Sequence, residues 1–158
     1  MSSPTARTVQ WLGADEMLAW RSYVETNADL MAALEHDLAS TGLNLGDYQV
    51  LVFLSESPEH SLRMCDLAGR LQLSPSGLTR RLDGLVRAGL VDRRGSDSDR
   101  RVMLAALTPK GVQALERSAP VHVASVRRRM IDLLDDEELH VVANVFQKIR
   151  SALRSEGE

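Results

Sequence analysis

The chain has 158 residues, of which 44% are hydrophobic and 26% are charged, a composition typical of a globular domain in water. It contains no apolar run of membrane-spanning length and no signal peptide, so we expect a cytoplasmic protein that does not enter membranes. A single cysteine, Cys65, excludes a disulfide framework, and the four histidines lack metal-ligand spacing. We therefore expect neither a metal site nor a cofactor.

The net charge of −3 is distributed unevenly along the chain. Residues 61–108 carry nine arginines and five aspartates, a net charge of +4, so the remainder carries −7. A basic segment inside an acidic protein is typical of proteins that bind a polyanion such as nucleic acid. An arginine-rich surface that is merely solvated is the alternative.

The first predicted element is a long amphipathic helix from about Asp15 to Ser40. Gly42 ends it, because glycine readily adopts the left-handed conformation that follows a helix. Its apolar residues repeat every seven positions and form one stripe: Met17, Val24, Met31 and Leu38.

The central segment predicts short elements: a helix at 47–55, a loop at 57–59, a short strand at 61–63, a helix at 64–71 and a helix from 75 to 87 or 88. Ser74 is the predicted N-cap of the last of these helices, Pro75 occupies its first position, and Gly89 ends it. Two short helices joined by a tight turn are typical of a helix-turn-helix.

The second helix of this pair has an apolar inner face and a polar outer face. The inner face consists of Leu78, Leu82, Leu85 and Val86. The outer face and flanks carry hydroxyl groups and arginines, which are suited to base edges and phosphates: Ser76, Thr79, Arg80, Arg81 and Arg87. This pattern favours DNA binding over the alternative, an ordinary amphipathic helix with a solvated arginine face.

A β-hairpin is predicted next, with strands at 90–94 and 101–107 and a polar loop at 95–100. Four arginines surround its tip: Arg93, Arg94, Arg100 and Arg101. Arginine on such a wing can enter the narrow minor groove, where the negative potential is strongest. The alternative is a hairpin that only covers the helical core.

Two further helices complete the chain. The first has Thr108 as its N-cap and Pro109 in its first position, and Pro120 should kink or divide it. Its predicted inner face is Val112, Leu115, Ala119, Val126, Met130 and Leu133. The second is capped by Asp135 or Asp136, and its apolar stripe is Leu139, Val142, Phe146, Ile149 and Leu153.

The first and last helices offer more apolar surface than one small chain needs for its own core. Helices with such stripes must bury them. We therefore expect a symmetric dimer formed through the two ends of the chain. Packing within one chain is the alternative.

Several motifs together give the chain a family resemblance. The segment SPSGLTRRLDGLVRAGLVDRRGSDSDRRVMLAALTPKG resembles the MarR family of winged helix-turn-helix transcriptional regulators. The wing matches the family pattern at Asp99, Arg101 and Thr108, and Gly-Leu-Val before the wing and Leu-Thr-Pro-Lys-Gly after it also match. The resemblance extends over nearly the whole chain, from about Trp11 to Leu153.

The resemblance implies a mainly α fold with a small β-hairpin wing. Residues 11–44 and 109–158 would form a helical dimerisation region, and residues 45–108 would form the winged helix-turn-helix lobe. The homodimer would bind a pseudo-palindromic operator in double-stranded DNA as a sequence-specific regulator, and as a repressor. A small aromatic or anionic ligand would release it.

The resemblance also assigns roles to individual residues. Ser76, Thr79 and Arg80 would face bases or phosphates, and Ser74 would direct the helix N-terminus at a phosphate. Arg101, oriented by Asp99, would enter the minor groove, with Arg100 as its close competitor. Arg81 and Arg93 complete the expected DNA-binding set.

A ligand pocket would lie between the dimerisation helices and the lobe. Its expected lining is Trp20, Tyr23, His36, Tyr48 and Val52, with His122 as a further candidate. Each has a structural alternative, since Trp20 also lies on the dimer stripe and Tyr48 can simply pack its ring in the core. Cys65 lies away from the position of the redox-active cysteine in the family, and we expect it to be a small core residue.

Two other classes of function compete with this interpretation. The sequence has no glycine-rich phosphate loop, no carboxylate–histidine constellation and no metal triad, so we do not expect an enzyme. A winged helix that binds a protein instead of DNA is the stronger alternative. It would be expected to carry apolar groups where this chain carries outward arginines.

Overall fold

The computed structural model describes residues 9–96 and 101–155. Its helices are α1 (Ala14–Leu38), α2 (Leu45–Ser55), α3 (Met64–Leu71), α4 (Pro75–Arg87), α5 (Pro109–Arg129) and α6 (Asp136–Ser155). Its strands are β1 (Ser61–Arg63), β2 (Val91–Gly95) and β3 (Met103–Leu107). Single 3₁₀ turns lie at Ala39–Thr41, Pro58–His60 and Ile131–Leu133. The predicted fold class, mainly helical with a small β wing, is confirmed.

Local capping signals set most helix boundaries. The Ser74 hydroxyl accepts a hydrogen bond from the Gly77 amide at 3.1 Å, and the Thr108 hydroxyl accepts one from the Gly111 amide at 3.0 Å. Gly42 and Gly89 adopt the left-handed conformation that ends a helix, with φ of 82° and 71°. α2 begins two residues earlier than predicted, because the Asn44 side chain caps it by accepting from the Asp47 amide.

The wing belongs to a three-stranded antiparallel sheet, which extends the predicted hairpin. The strand order is β1-β3-β2, with Ser61 opposite Ala106 and Val91 opposite Leu107. The short strand before α3 was predicted, but its pairing with β3 was not. β2 lies one residue nearer the tip than predicted, and β3 begins two residues later than predicted.

The chain divides into two compact units, residues 1–33 and residues 34–158. The second unit has a leucine-rich core that α2, α3, α4 and the sheet share. Its fully buried residues include Leu38, Leu51, Leu54, Leu67, Leu78, Leu82 and Val91. The predicted inner face of α4 is confirmed for Leu78, Leu82 and Leu85, which are buried, whereas Val86 is half-buried. This packing fixes the opposite face of α4 toward solvent.

Of the two effects predicted for Pro120, a kink or a division of the helix, division was wrong, and the predicted buried face of α5 was wrong in detail. α5 runs through Pro120 without dividing, and because Glu116 and Pro120 are both exposed, water can satisfy the carbonyl that proline leaves free. Its buried positions are small residues, not the predicted large apolar ones: Gly111, Ala114, Ser118 and Ser125. Leu115 and Ala119 are half-buried against the core, whereas Leu133 is exposed.

Gly111 is required by close packing at the start of α5. A Cβ at this position would overlap the backbone carbonyl of Leu90, which cannot move aside as a flexible side chain can. We expect Gly111→Ala to lower the free energy of unfolding by about 2 kcal/mol through overpacking. Urea unfolding measures this.

Gly84→Ala is the matched control for Gly111→Ala. Gly84 also lies in a helix, but no atom lies within 4 Å of the position that its Cβ would take. This variant should be more stable than the parent by about 0.5–1 kcal/mol, because alanine is the better helix former. Equal stability of the two variants would refute the packing explanation.

The end helices keep large apolar side chains exposed. α6 has no buried residue, and its exposed side chains include Val141, Val145, Phe146, Ile149 and Leu153. α1 exposes Leu18, Trp20, Tyr23, Val24 and Met31. None of the helices in the described part of the chain combines the length and apolarity that crossing a membrane requires.

Candidate nucleic-acid interface

The N-terminal half of α4 presents the predicted polar residues to solvent. Ser74, Ser76, Thr79 and Arg80 are all exposed. The two serine hydroxyls lie 3.2 Å apart at the start of the helix, where Ser74 caps it by accepting from the Gly77 amide. The Thr79 hydroxyl donates to the Pro75 carbonyl at 2.9 Å, which fixes its orientation on the outer face. A helix end of this kind attracts anions.

Arg80 and Arg81 are neighbours in sequence but have different surroundings. Arg80 makes no hydrogen bond or ion pair with another residue in the described ranges. The Arg81 guanidinium instead donates to Asn44 at 3.1 Å and to Asp47 at 3.3 Å, both at the start of α2. It also occupies the space that a side chain on Gly46 would need. Arg81 therefore ties α4 to α2, and its predicted DNA contact stays a prediction.

Arg93 connects the wing to α4. Its guanidinium donates to the Thr79 carbonyl at 2.7 Å and pairs with the Asp83 carboxylate at 2.8 Å. The side chain is only 27% exposed. These contacts hold β2 against α4, so Arg93 fixes the position of the wing relative to the predicted DNA-binding face of α4.

The wing tip is only partly within the described residues. Arg101 is exposed in the turn that precedes β3. Asp99, predicted to orient Arg101, and Arg100, its predicted competitor for the minor groove, lie outside the described residues. The assignment of Arg101 to the minor groove therefore stays a prediction.

The predicted ligand-pocket residues lie in different surroundings. Trp20 and Tyr23 are exposed on α1 with their ring centroids 6.1 Å apart. In the second unit, Tyr48 is buried with its ring 4.6 Å from that of His122, and Val52 packs against the core. Burial raises the pKa of Tyr48 and lowers the pKa of His122.

His36 lies at a separate cleft of about 380 Å³, which neither Tyr48 nor Val52 lines. The lining residues are His36, Asp37, Ser40, Val121, Ala124 and Arg128. Of the pocket candidates in the second unit, the structure thus brings Tyr48 and His122 together and leaves His36 apart.

Cys65 is exposed, so its predicted core position is wrong. The inward face of α3 consists of Leu67 and Ala68, and helical geometry turns Cys65 to the other side. Its thiol lies 3.5 Å from the Asp66 carboxylate.

A polar cluster around Asp37, at the end of α1, was not predicted from the sequence. The Asp37 carboxylate accepts hydrogen bonds from Ser125 at 2.6 Å, Arg128 at 2.8 Å and Arg129 at 2.9 Å. These partners lie 88 to 92 positions further along the chain, so no local motif announces them. The Ser125 hydrogen bond, followed by that of Arg129, lowers the pKa of Asp37 below its ordinary value of 3.8.

This cluster gives stability a defined pH dependence. Because the pKa is lowered in the folded chain, the Asp37 carboxylate stabilises the fold above pH 3.8, and this contribution disappears as the pH falls below that value. We expect Asp37→Asn to lower the melting temperature at neutral pH and to converge with the parent in strong acid. Melting curves from pH 7 to pH 2 measure the difference, and a constant difference throughout would contradict this account.

Comparison with known proteins places these features in a family. A model described as MarR family matches residues 41–102. The crystal structure of AbsC, a MarR family transcriptional regulator from Streptomyces coelicolor, has a TM-score of 0.89 and 41% identity, covering 93% of this chain and 99% of that chain. Sco3205, a MarR family regulator from the same organism solved in complex with DNA, has a TM-score of 0.88 and 35% identity, covering 92% of each chain.

A third similar protein is a transcriptional repressor. The HTH-type transcriptional repressor YetL of Bacillus subtilis (strain 168) is 27% identical over 147 residues, which cover 91% of this chain and 88% of that protein.

Proposed function

The chain belongs to the MarR family of transcriptional regulators, and from that premise we propose that it is a repressor that binds a specific operator in double-stranded DNA as a homodimer. One observation carries the proposal. The start of α4 exposes hydroxyls and Arg80 as a recognition helix does. A relative with 35% identity was solved in complex with DNA, which supports the same role here.

The exposed apolar side chains of α1 and α6 support a symmetric dimer. A second copy would cover these stripes and place two copies of α4 in successive major grooves of a pseudo-palindromic site. In this arrangement residues 11–44 and 109–158 form the dimerisation region, and residues 45–108 form the DNA-binding lobe. The DNA-facing residues would be Ser74, Ser76, Thr79, Arg80, Arg81, Asp99, Arg100 and Arg101, and Arg93 would position the wing against α4.

Charge on the α6 stripe tests the dimer. We expect Ile149→Glu, at a position 48% exposed in the single chain, to weaken self-association at least about hundredfold, because the dimer would bury two unpaired carboxylates. Sedimentation equilibrium measures this. Met103→Glu is the control, since Met103 is 45% exposed on β3, outside both end helices. Equal association of both variants would reject the α6 interface.

Operator binding is tested by selecting genomic fragments with the purified protein, followed by gel shifts over a salt series. We expect enrichment of one pseudo-palindrome and a steep loss of affinity with salt. Weak binding to all fragments alike would favour the alternative, a winged helix that docks on a protein. The outward face of α4 argues against that alternative, because it carries hydroxyls and arginine instead of apolar groups.

We further propose that a small aromatic or anionic ligand releases the operator. Trp20, Tyr23, His36, Tyr48 and Val52 are its proposed contacts, with His122 as a further candidate, because its ring packs against that of the buried Tyr48. Tryptophan fluorescence and melting shifts against a panel of phenolic acids test it. No response to any member would remove this pocket from the proposal.

A further inference from the structure

A second cleft lies between residues of the lobe and the end of α6, and of its lining only Leu153 was considered above. It has a volume of about 530 Å³, within the range of small-molecule sites, and is formed by α2, α3, the turn after α3 and the end of α6. Its polar lining is Arg70, Gln72, Arg150 and Arg154, and its apolar lining is Phe53 and Leu153.

The three arginines give the cleft a strong positive charge. Among the described residues, none that lines the cleft is acidic. Within the described ranges, none of the three guanidinium groups has a hydrogen bond or an ion pair with a carboxylate. Their charge is therefore available to a ligand, and the planar guanidinium suits the paired oxygens of carboxylates and phosphates.

One wall of the cleft is aromatic. The Arg70 guanidinium carbon lies 5.9 Å from the centre of the Phe53 ring, so Arg70 is held over the ring by a cation–π contact. This contact fixes the direction of one charge without neutralising it. An apolar group of a ligand can pack beside Phe53 while its anionic groups meet the arginines.

We propose that this cleft binds a small organic anion that carries an aromatic or acyl body and at least two negative charges. We infer at least two negative charges because a ligand with a single charge would leave part of the positive charge of the three guanidinium groups unpaired. Carboxylates and phosphates share this chemistry, and the experiment below separates them.

The position of the cleft connects it to the DNA-binding apparatus. Gln72 is the residue between α3 and α4 that adopts the left-handed conformation, with φ of 53°, so it forms the turn of the helix-turn-helix. An anion held jointly by Arg70 and by the arginines of α6 would tie the end of α6 to this turn. Such a ligand would therefore change operator affinity; this consequence rests on the proposed function, whereas binding itself does not.

Binding is tested by calorimetry on the full-length protein without DNA. The probes are phthalate, phenyl phosphate and inorganic phosphate, with benzamide as a neutral ring. We expect at least one of the two organic dianions to bind saturably below about 1 mM, more tightly than inorganic phosphate, and benzamide not to bind. A preference between phthalate and phenyl phosphate identifies the anionic group.

Variants locate the site. Because charge-assisted hydrogen bonds are strong, Arg150→Gln combined with Arg154→Gln should weaken binding at least about tenfold. Lys148→Gln removes a charge from the same helix outside the cleft and should leave binding within about twofold. Melting curves verify that all variants fold.

The outcomes separate this proposal from the proposed function. No saturable binding of either dianion, or equal binding by the double variant, overturns the site even if the operator gel shift persists. The salt slope of operator binding by the Arg70→Gln variant, measured without ligand, gives a further outcome. If this slope is smaller than that of the parent and neither dianion binds, the cleft contacts the DNA backbone and the proposed ligand site is overturned. Dianion binding by a protein that selects no operator would retain the site and reject the repressor.

Discussion

We expect Arg80→Ala to weaken operator binding about hundredfold, because an arginine–base pair contributes roughly 1–3 kcal/mol and the proposed dimer carries two copies. Arg80 is exposed at the N-terminal half of α4 and makes no hydrogen bond or ion pair within the described ranges, so its loss removes no observed polar contact of the fold. Fluorescence anisotropy with the selected operator, measured over a salt series, gives the affinity and the salt slope together.

Two companion variants make the Arg80 result specific. Arg117→Ala removes an exposed arginine from α5 and should change affinity by less than about threefold, since surface charge far from the DNA acts weakly. Arg80→Lys keeps the charge but loses the planar fork, so it should retain non-specific binding and lose discrimination between sites. Retained operator binding by the Arg80→Ala, Arg101→Ala double variant would refute the assignment of both residues.

The parts of the fold that were predictable from sequence depend on neighbouring residues. Ser74 with Pro75 and Thr108 with Pro109 start helices through contacts within four positions, and Gly42 and Gly89 end them through their own backbone conformation. The outward position of Arg80 follows from the buried leucines of α4 by helical periodicity.

The remaining features depend on distant residues or on close packing. The sequence gives no signal for the pairing of β1 with β3 or for the partners of Asp37, because each joins segments more than 40 positions apart. The buried face of α5 was mispredicted because small residues, among them Gly111 and Ser118, allow close approach there. Hydrophobic periodicity does not detect a face of that kind.

Contacts between distant residues also made the roles of Arg81 and Arg93 unpredictable from the sequence. Both were predicted to contact DNA because they are arginines beside the recognition helix. The structure instead shows Arg81 bound to the start of α2 and Arg93 bound to α4. An arginine in the sequence indicates a side chain that can bind an anion. Only the fold shows whether its guanidinium group already donates hydrogen bonds to other groups of the protein.

Arg93→Ala is the second variant with a large expected effect. It removes the charged hydrogen bond to the Thr79 carbonyl, worth roughly 1.5–3 kcal/mol, and the ion pair with the half-exposed Asp83 carboxylate, worth roughly 0.2–1 kcal/mol. The wing is then no longer held against α4. We expect operator affinity to fall about fiftyfold with little change in salt slope, because a positioning residue releases no counterions of its own. Hydrogen exchange at the β2 amides should also become faster.

Arg94→Ala and a double-mutant cycle with Asp83→Ala distinguish positioning from direct contact. Arg94 lies on the same strand and makes no ion pair within the described ranges, so its removal changes charge without freeing the wing. If Arg93 acts through Asp83, the double variant should lose much less than the sum of the single losses. Additive losses, or a salt slope that falls by about one for each Arg93 removed, would instead make Arg93 a phosphate contact, as its residue type alone suggested.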